Sequence, residues 1–228
     1  MTLRRYALPV LAMTIIVLMA NVAVQFPLSG TLGSLALGDV LTWGAFVYPF
    51  AFVATDINNR LHGPAMARRV VYLGFLLAIA SSILVPPILH AYGLMPYEIT
   101  GARLARVAMA SGLAFLAAQL LDILVFNRLR RLSWWNAPFA AGVAGSVLDT
   151  LLFFSLAFAP IFWLLGPSDE FALAGAPLLG VLSTEAPRWV SWALGDFVVK
   201  LAIALFGLVP YRLIVGAVLP MREDVARV

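Results

Sequence analysis

Long apolar runs recur from one end of the chain to the other, beginning with "ALPVLAMTIIVLMANVAVQF" (7–26). A stretch of about 18 or more residues with few charges is long enough to cross a bilayer as a helix, and several in succession leave few other folds open. Composition agrees: 63% of the 228 residues are hydrophobic and 11% charged, whereas a soluble domain carries about a quarter charged residues. The chain reads as an integral membrane protein. There is no cysteine, so disulfides, thiolate nucleophiles and Cys-type metal sites are excluded. His62 and His90 are too far apart to form a metal-ligand pair at helical spacing, and neither a metal nor a cofactor is expected. The two arginines before the first run do not make it a signal peptide. That run is too long, and more membrane-like sequence follows in place of a polar mature chain.

Hydropathy predicts six transmembrane spans, at 7–26, 40–57, 69–89, 104–126, 139–165 and 189–218. The second contains Pro49 and the last contains Pro210, where that span is expected to break. The expected fold is all-α, a single six-helix bundle covering 1–228, with lipid as its surroundings. Basic residues orient it. With the N-terminus inside, Arg4, Arg5, Arg60, Arg68, Arg69, Arg128, Arg130, Arg131, Arg212, Arg222 and Arg227 are cytoplasmic, and Arg103, Arg106 and Arg188 are outside. That asymmetry places both termini in the cytoplasm of a multi-pass membrane protein. The formal net charge of +4 therefore reports topology and gives no reason to expect a nucleic-acid partner.

Ionisable residues inside spans carry the chemistry. A carboxylate or ammonium at a helix centre costs about 2.5–3.5 kcal/mol even on lenient insertion scales, so Asp122, Asp149, Asp196 and Lys200 need partners or a polar cavity. Spacing groups them. Ser111, Phe115, Gln119, Asp122 and Phe126 form one helical stripe; Gly142, Ser146, Asp149 and Phe153 form another; Trp189, Trp192, Asp196 and Lys200 form a third. Each stripe sets a carboxylate one turn from an aromatic ring, surroundings that suit a flat polar heterocycle. Packing with a few interhelical hydrogen bonds is the plainer alternative. At about 1.5 Å per residue, Asp149 and Lys200 both lie roughly 16 Å into their spans, near the midplane, and Asp122 lies nearer the cytoplasm. Asp196 and Lys200, at i and i+4, can neutralise each other. Asn21 lies on a milder stripe and is either a packing amide or a ligand contact. "LDILVF" (121–126) and "LDTLLF" (148–153), in oppositely directed helices, hint at an inverted repeat. Small residues at Ala110, Ala114, Ala118, Ala141, Gly142, Gly145 and Ser146 predict close approach of these two helices.

Several segments together resemble a known family. "VYPFAFVATDINNRLHGPAMARRVVY" (47–72) resembles the YP-x-x-F-x-x-TD-x-x-N…G…AR segment of the queuosine precursor transporters, also called the vitamin uptake transporter family. "ASGLAFLAAQLLDILVFNRLR" (110–130), "GSVLDTLLFFSLAF" (145–158) and "GDFVVKLAIAL" (195–205) are similar to its later Asp- and Lys-bearing helices, in the same order. Where the family pattern has Glu, this chain has Arg60; where it often has Tyr, this chain has His62. The resemblance implies uptake of 7-cyano-7-deazaguanine or its aminomethyl relative for tRNA queuosine synthesis. It also implies a bundle similar to the substrate-binding components of energy-coupling-factor transporters. The family motif adds Tyr48, making the candidate substrate-binding set Asn21, Tyr48, Phe115, Gln119, Asp122, Asp149, Phe153, Asp196 and Lys200. A homodimer or an energising partner is left open, and the chain has no ATP-binding loop of the G-x-x-x-x-G-K-[ST] type. A deazaguanine offers an N–H and a neighbouring amine to a carboxylate and a carbonyl to an amide, which is what Gln119 and Asp122 present.

Other readings stay open on the residues alone. One is an ion-coupled transporter or channel for another small polar solute. The other is an intramembrane aspartyl enzyme built on Asp122 and Asp149, against which stand their different depths and a "LGDF" without the flanking glycine of such enzymes. No enzyme activity is expected.

Overall fold

The structure, a computed structural model, describes residues 3–95 and 101–218, with side chains from residue 7 onward. The Arg4 and Arg5 side chains, Arg222, Arg227 and part of the 90–103 loop lie outside the described residues.

Lipid offers no partner to a bare peptide group, so an apolar chain must satisfy its backbone internally. It does so in helices: α1 (Leu3–Ala23), α2 (Gly44–Val47), α3 (Phe50–His62), α4 (Pro64–Ala91), α5 (Gly101–Leu129), α6 (Asn136–Phe158), α7 (Glu170–Leu173), α8 (Arg188–Phe206) and α9 (Leu208–Val218). By length and composition, four among the described residues can cross a membrane: Pro64–Ala91, Gly101–Leu129, Asn136–Phe158 and Arg188–Val218 taken through its break. A shorter apolar helix covers Ala7–Ala23. The surface is apolar where a soluble protein's would be polar: Leu8, Leu76, Leu84, Val198, Phe206 and Leu213 are exposed, while Thr55, Asp56, Asn59, Gln119, Asp122 and Lys200 are buried. This inside-out pattern is that of a protein dissolved in lipid.

Prolines move three of the expected boundaries. The segment expected at 40–57 is two helices, interrupted at Tyr48–Pro49, where the bonds tighten to Ala51 N–Tyr48 O at 2.9 Å and Phe52 N–Pro49 O at 3.1 Å. α3 then continues past 57 to His62. Gly63, at φ +87°, turns the chain, and Pro64 opens α4 at a position where its missing N–H costs nothing. The fifth expected span stops at Phe158. Ala159, which precedes Pro160, is extended, and a 3₁₀ turn follows over Pro160–Leu165. The last span breaks at Gly207 rather than at Pro210. Pro210 has no N–H for the Phe206 carbonyl, so the ladder fails one turn before the proline itself.

α3 is the hub, packed against α1, α4, α5, α6 and α9. The α5–α6 interface is the most extensive, and the small residues expected there are buried: Ala110, Ala114, Ala118 and Ala141 are all 0% exposed. Gly145 gives α3 its approach to α6, because a Cβ there would stand 2.6 Å from Phe52 Cε1. Two antiparallel hairpins, β1–β2 (Thr31–Leu32, Leu35–Ala36) and β3–β4 (Gly175–Pro177, Glu185–Pro187), fold together over one end of the bundle. Trp192 Nε1 donates to the Asp39 carbonyl at 2.7 Å and Leu179 N to Ser191 Oγ at 2.9 Å, tying that end to α8. Arg106, taken on sequence as an outer-segment residue, is 1% exposed within α5. Its guanidinium donates to the carbonyls of Leu156, Ala159, Gly166 and Pro167, bracing the end of α6 against the turn that follows it.

Candidate functional site

Two polar clusters occupy the interior. In the first, Lys200 of α8 reaches across to α6. Its Nζ donates to Asp149 Oδ2 at 2.6 Å and to Thr150 Oγ1 at 3.1 Å, and it also pairs with Asp196 on its own helix. Thr150 Oγ1 donates to Asp196 Oδ2 at 3.0 Å, and Tyr48 OH donates to Asp149 Oδ1 at 2.8 Å. The Lys200 ammonium also lies 5.3 Å from the Tyr48 ring centre. The i, i+4 pair expected within α8 is therefore part of a larger network, with one cation between two carboxylates. Such a network holds only if each lone pair is answered, since removing one partner strands the others in low dielectric.

The second cluster lies along α3 and α5, which run parallel. Tyr48 packs edge-on against Phe115 with ring centres 6.3 Å apart. Further along the same seam lie Asp56 and Asp122, both buried, and Asn127 Nδ2 donates to Asn59 Oδ1 at 3.4 Å. Gln119 lies one turn before Asp122 on the same helix face. It is 0% exposed, and neither its amide nitrogen nor its oxygen has a partner in the structure. The same holds for both Asp122 oxygens, Thr55 Oγ1 and Asn59 Nδ2. Buried polar atoms are nearly always paired, so this row of donors and acceptors is a candidate face for a ligand.

A cavity of about 20 Å³ joins the clusters, with Asp56 at one wall and Lys200 at another, between α3, α6, α8 and α9. That is room for a water molecule, and a bicyclic ligand does not fit. Pro49 and Gly207, at the two helix interruptions, line the same cavity.

The residues singled out on sequence divide between these places. Tyr48, Asp149, Asp196 and Lys200 meet in the first cluster. Gln119 and Asp122 form part of the second, and Phe115 stands at its end, fully buried. Phe153 packs instead against Phe154 and Phe158. Asn21 lies on the α1–α4 seam, donating to the Val17 carbonyl at 3.0 Å and accepting from Ser82 Oγ at 2.7 Å. Sequence reasoning missed Asp56 and Asn59. Their signal was present, since Phe52, Asp56 and Asn59 follow at helical steps of four and three, but it showed only if the helix ran past 57.

The family model described as "Putative vitamin uptake transporter" matches residues 42–215, a segment containing both clusters. The chain belongs to this family. Among curated relatives, it is 32% identical over 217 residues to the "Queuosine precursor transporter" of Escherichia coli (strain K12), covering 92% of this chain and 86% of the relative. It is also 32% identical over 215 residues to the "Probable queuosine precursor transporter" of Haemophilus influenzae, covering 90% and 83%. No solved structure matches the chain. A family of transporters, not enzymes, removes the aspartyl-enzyme reading of Asp122 and Asp149. The two residues also belong to different clusters.

Proposed function

We propose that this protein takes up a queuosine precursor, 7-cyano-7-deazaguanine or a related 7-deazapurine, across the bacterial inner membrane. The observation that carries this reading is the buried, unpaired Gln119–Asp122 face, taken with the names of the relatives. Asp122 can accept from a ring N–H and its neighbouring amine, and the Gln119 amide can donate to the adjacent carbonyl. An apolar solute would leave these groups unanswered, and an analogue lacking the amine would strand a buried carboxylate, which gives strong discrimination. Tyr48, Phe115, Asp149, Asp196 and Lys200 surround the path, and Asn21 and Phe153 are its more distant candidates.

The topology that suits this role has six spans, formed by α1, α2–α3, α4, α5, α6 and α8–α9, with both termini cytoplasmic. Arg60 Nη1 donates to the Arg130 carbonyl at 2.9 Å, which puts two of the arginine-bearing loops at one end of the bundle. The hairpins then face outward. The water-sized cavity makes the described conformation a closed one, and substrate entry requires α3, α6 and α8 to separate around it. Uptake against a gradient needs an ion gradient or an energising partner.

Purified protein in liposomes should accumulate or exchange labelled 7-cyano-7-deazaguanine, with competition by other 7-deazaguanines and none by adenine. Gln119→Ala and Asp122→Asn should each abolish exchange while the protein still inserts and melts cooperatively. Exchange that ignores the guanine-like edge, or full affinity in both variants, would overturn the reading.

A further inference from the structure

We propose that the Asp56–Asp122 pair is a proton-binding site, with one proton shared between the two carboxyls, and that Asp122 reads its ligand only while Asp56 holds that proton. The ligand half of this inference rests on the transport reading above; the proton half rests on the α3–α5 seam alone.

The two carboxyls are 3% and 0% exposed, and they lie between the Tyr48–Phe115 and Asn59–Asn127 contacts that hold α3 and α5 side by side. Two like charges this close, out of water, cannot both persist without a counter-charge. Neither carboxyl belongs to an ion pair among the described residues. Lys200 of α8 shares the cavity with Asp56, but its ammonium is held by Asp149 and Asp196. Arg60, one turn along α3, donates to the Arg130 carbonyl. From α9 come Tyr211, which is neutral, and Arg212, whose guanidinium lies 4.8 Å over the Trp134 ring centre. Arg68, Arg69 and Tyr72 of α4 are exposed, and α1 has no titratable side chain from residue 7 onward. A second observation marks the seam as a binding face: Gln119, fully buried one turn from Asp122, has both ends of its amide unpaired. The cavity beside Asp56 has room for one water.

One proton solves both problems. On Asp56 it donates to one oxygen of Asp122, leaving the rest of that carboxylate to accept the N–H groups of a planar base. The seam then carries a single negative charge. Removing the proton leaves two, and closing over a ligand becomes harder, so affinity falls as pH rises.

The test uses the purified full-length protein, titrated with 7-cyano-7-deazaguanine between about pH 6 and 9. Linkage to one proton predicts that wild-type Kd rises about tenfold per pH unit once the proton is lost. Asp56→Asn, whose amide donates to Asp122 as the carboxylic acid does, should bind with an affinity independent of pH. Infrared spectra of the ligand-free protein should show a protonated-carboxyl band that shifts in D₂O and is missing from Asp56→Asn. Asp122→Asn, which loses the same shared-proton band, serves if Asp56→Asn does not fold. A wild type with no such band, a flat wild-type pH profile, or an affinity that follows sodium would overturn the proton site. A band without deazapurine binding at any pH would keep the proton site and sink the substrate reading.

Discussion

Replacing Lys200 with Met removes the ammonium while keeping an unbranched apolar stem of similar reach. The change strands the Asp149 and Asp196 side chains, which are 4% and 15% exposed. Only the Tyr48 hydroxyl and Thr150 remain to answer them. Breaking a buried ion pair by deleting one partner costs about 3–5 kcal/mol. For a chain of this size each kcal/mol lowers the melting temperature by about 2–4 °C, so the expected drop is roughly 6–20 °C. The control is Lys200→Met combined with Asp149→Asn and Asp196→Asn. Replacing the whole ionic cluster with neutral groups is often close to neutral in stability, and most of the loss should return. Tryptophan fluorescence during thermal unfolding in detergent reads both variants, since the chain has six tryptophans. A Lys200→Met protein melting within about 2 °C of wild type would show that water already reaches the cluster. A triple variant no better than the single would show that Lys200 acts through something other than charge.

Gly145→Ala should push α3 off α6, because its Cβ would overlap Phe52 Cε1; overpacking of this kind costs about 1–3 kcal/mol, readable as a lower melting temperature. Arg106→Met should loosen the 159–167 turn by freeing four carbonyls at once, and limited proteolysis there should speed up while the ligand site is spared. Phe115→Leu should lower the melting temperature more than Phe153→Leu, since Phe115 is fully buried against Tyr48 and Phe153 is half-buried; equal shifts would contradict the packing described.

Much of the bundle was legible because lipid imposes one rule on every segment. Apolar runs marked the long helices, and the stripes of α5 and α6 are buried at their helical steps except at Ser111 and Phe153, which are half-buried. Depth was legible too: counting residues put Asp149 and Lys200 at one level, and they meet at 2.6 Å. Partner choice was less so. The i, i+4 contact of Asp196 with Lys200 is local and visible in sequence, but the share Lys200 gives to Asp149 depends on the rotation of α8 against α6. The break at Gly207 is caused by a proline three residues later, and a search for the proline itself misplaces it. Asp56 was passed over because "TDINN" looks like the polar end of a span. It is interior because Gly63, not Asp56, ends the helix.

α3 connects the two clusters, and that connection gives the site its mechanical character. Tyr48 just before its start reaches Asp149 on α6, Asp56 in its middle lies on the seam with Asp122 of α5, and Asn59 near its end accepts from Asn127. The interruption at Tyr48–Pro49 separates the first of these contacts from the other two. α3 can therefore tilt about Pro49 with Tyr48 still held, whereas a shift of the α2–α3 segment as a whole must break the Tyr48–Asp149 bond and the Asp56–Asp122 contact together. The cavity between these contacts is lined by Pro49 on one side and Gly207 on the other, so both helix interruptions border the volume that must grow to admit a base. Opening there exposes the Lys200 network and the Gln119–Asp122 face to the same water at the same time. On the uptake reading proposed above, binding and access would be coupled through this one short helix, whose polar residues Thr55, Asp56, Asn58 and Asn59 are buried.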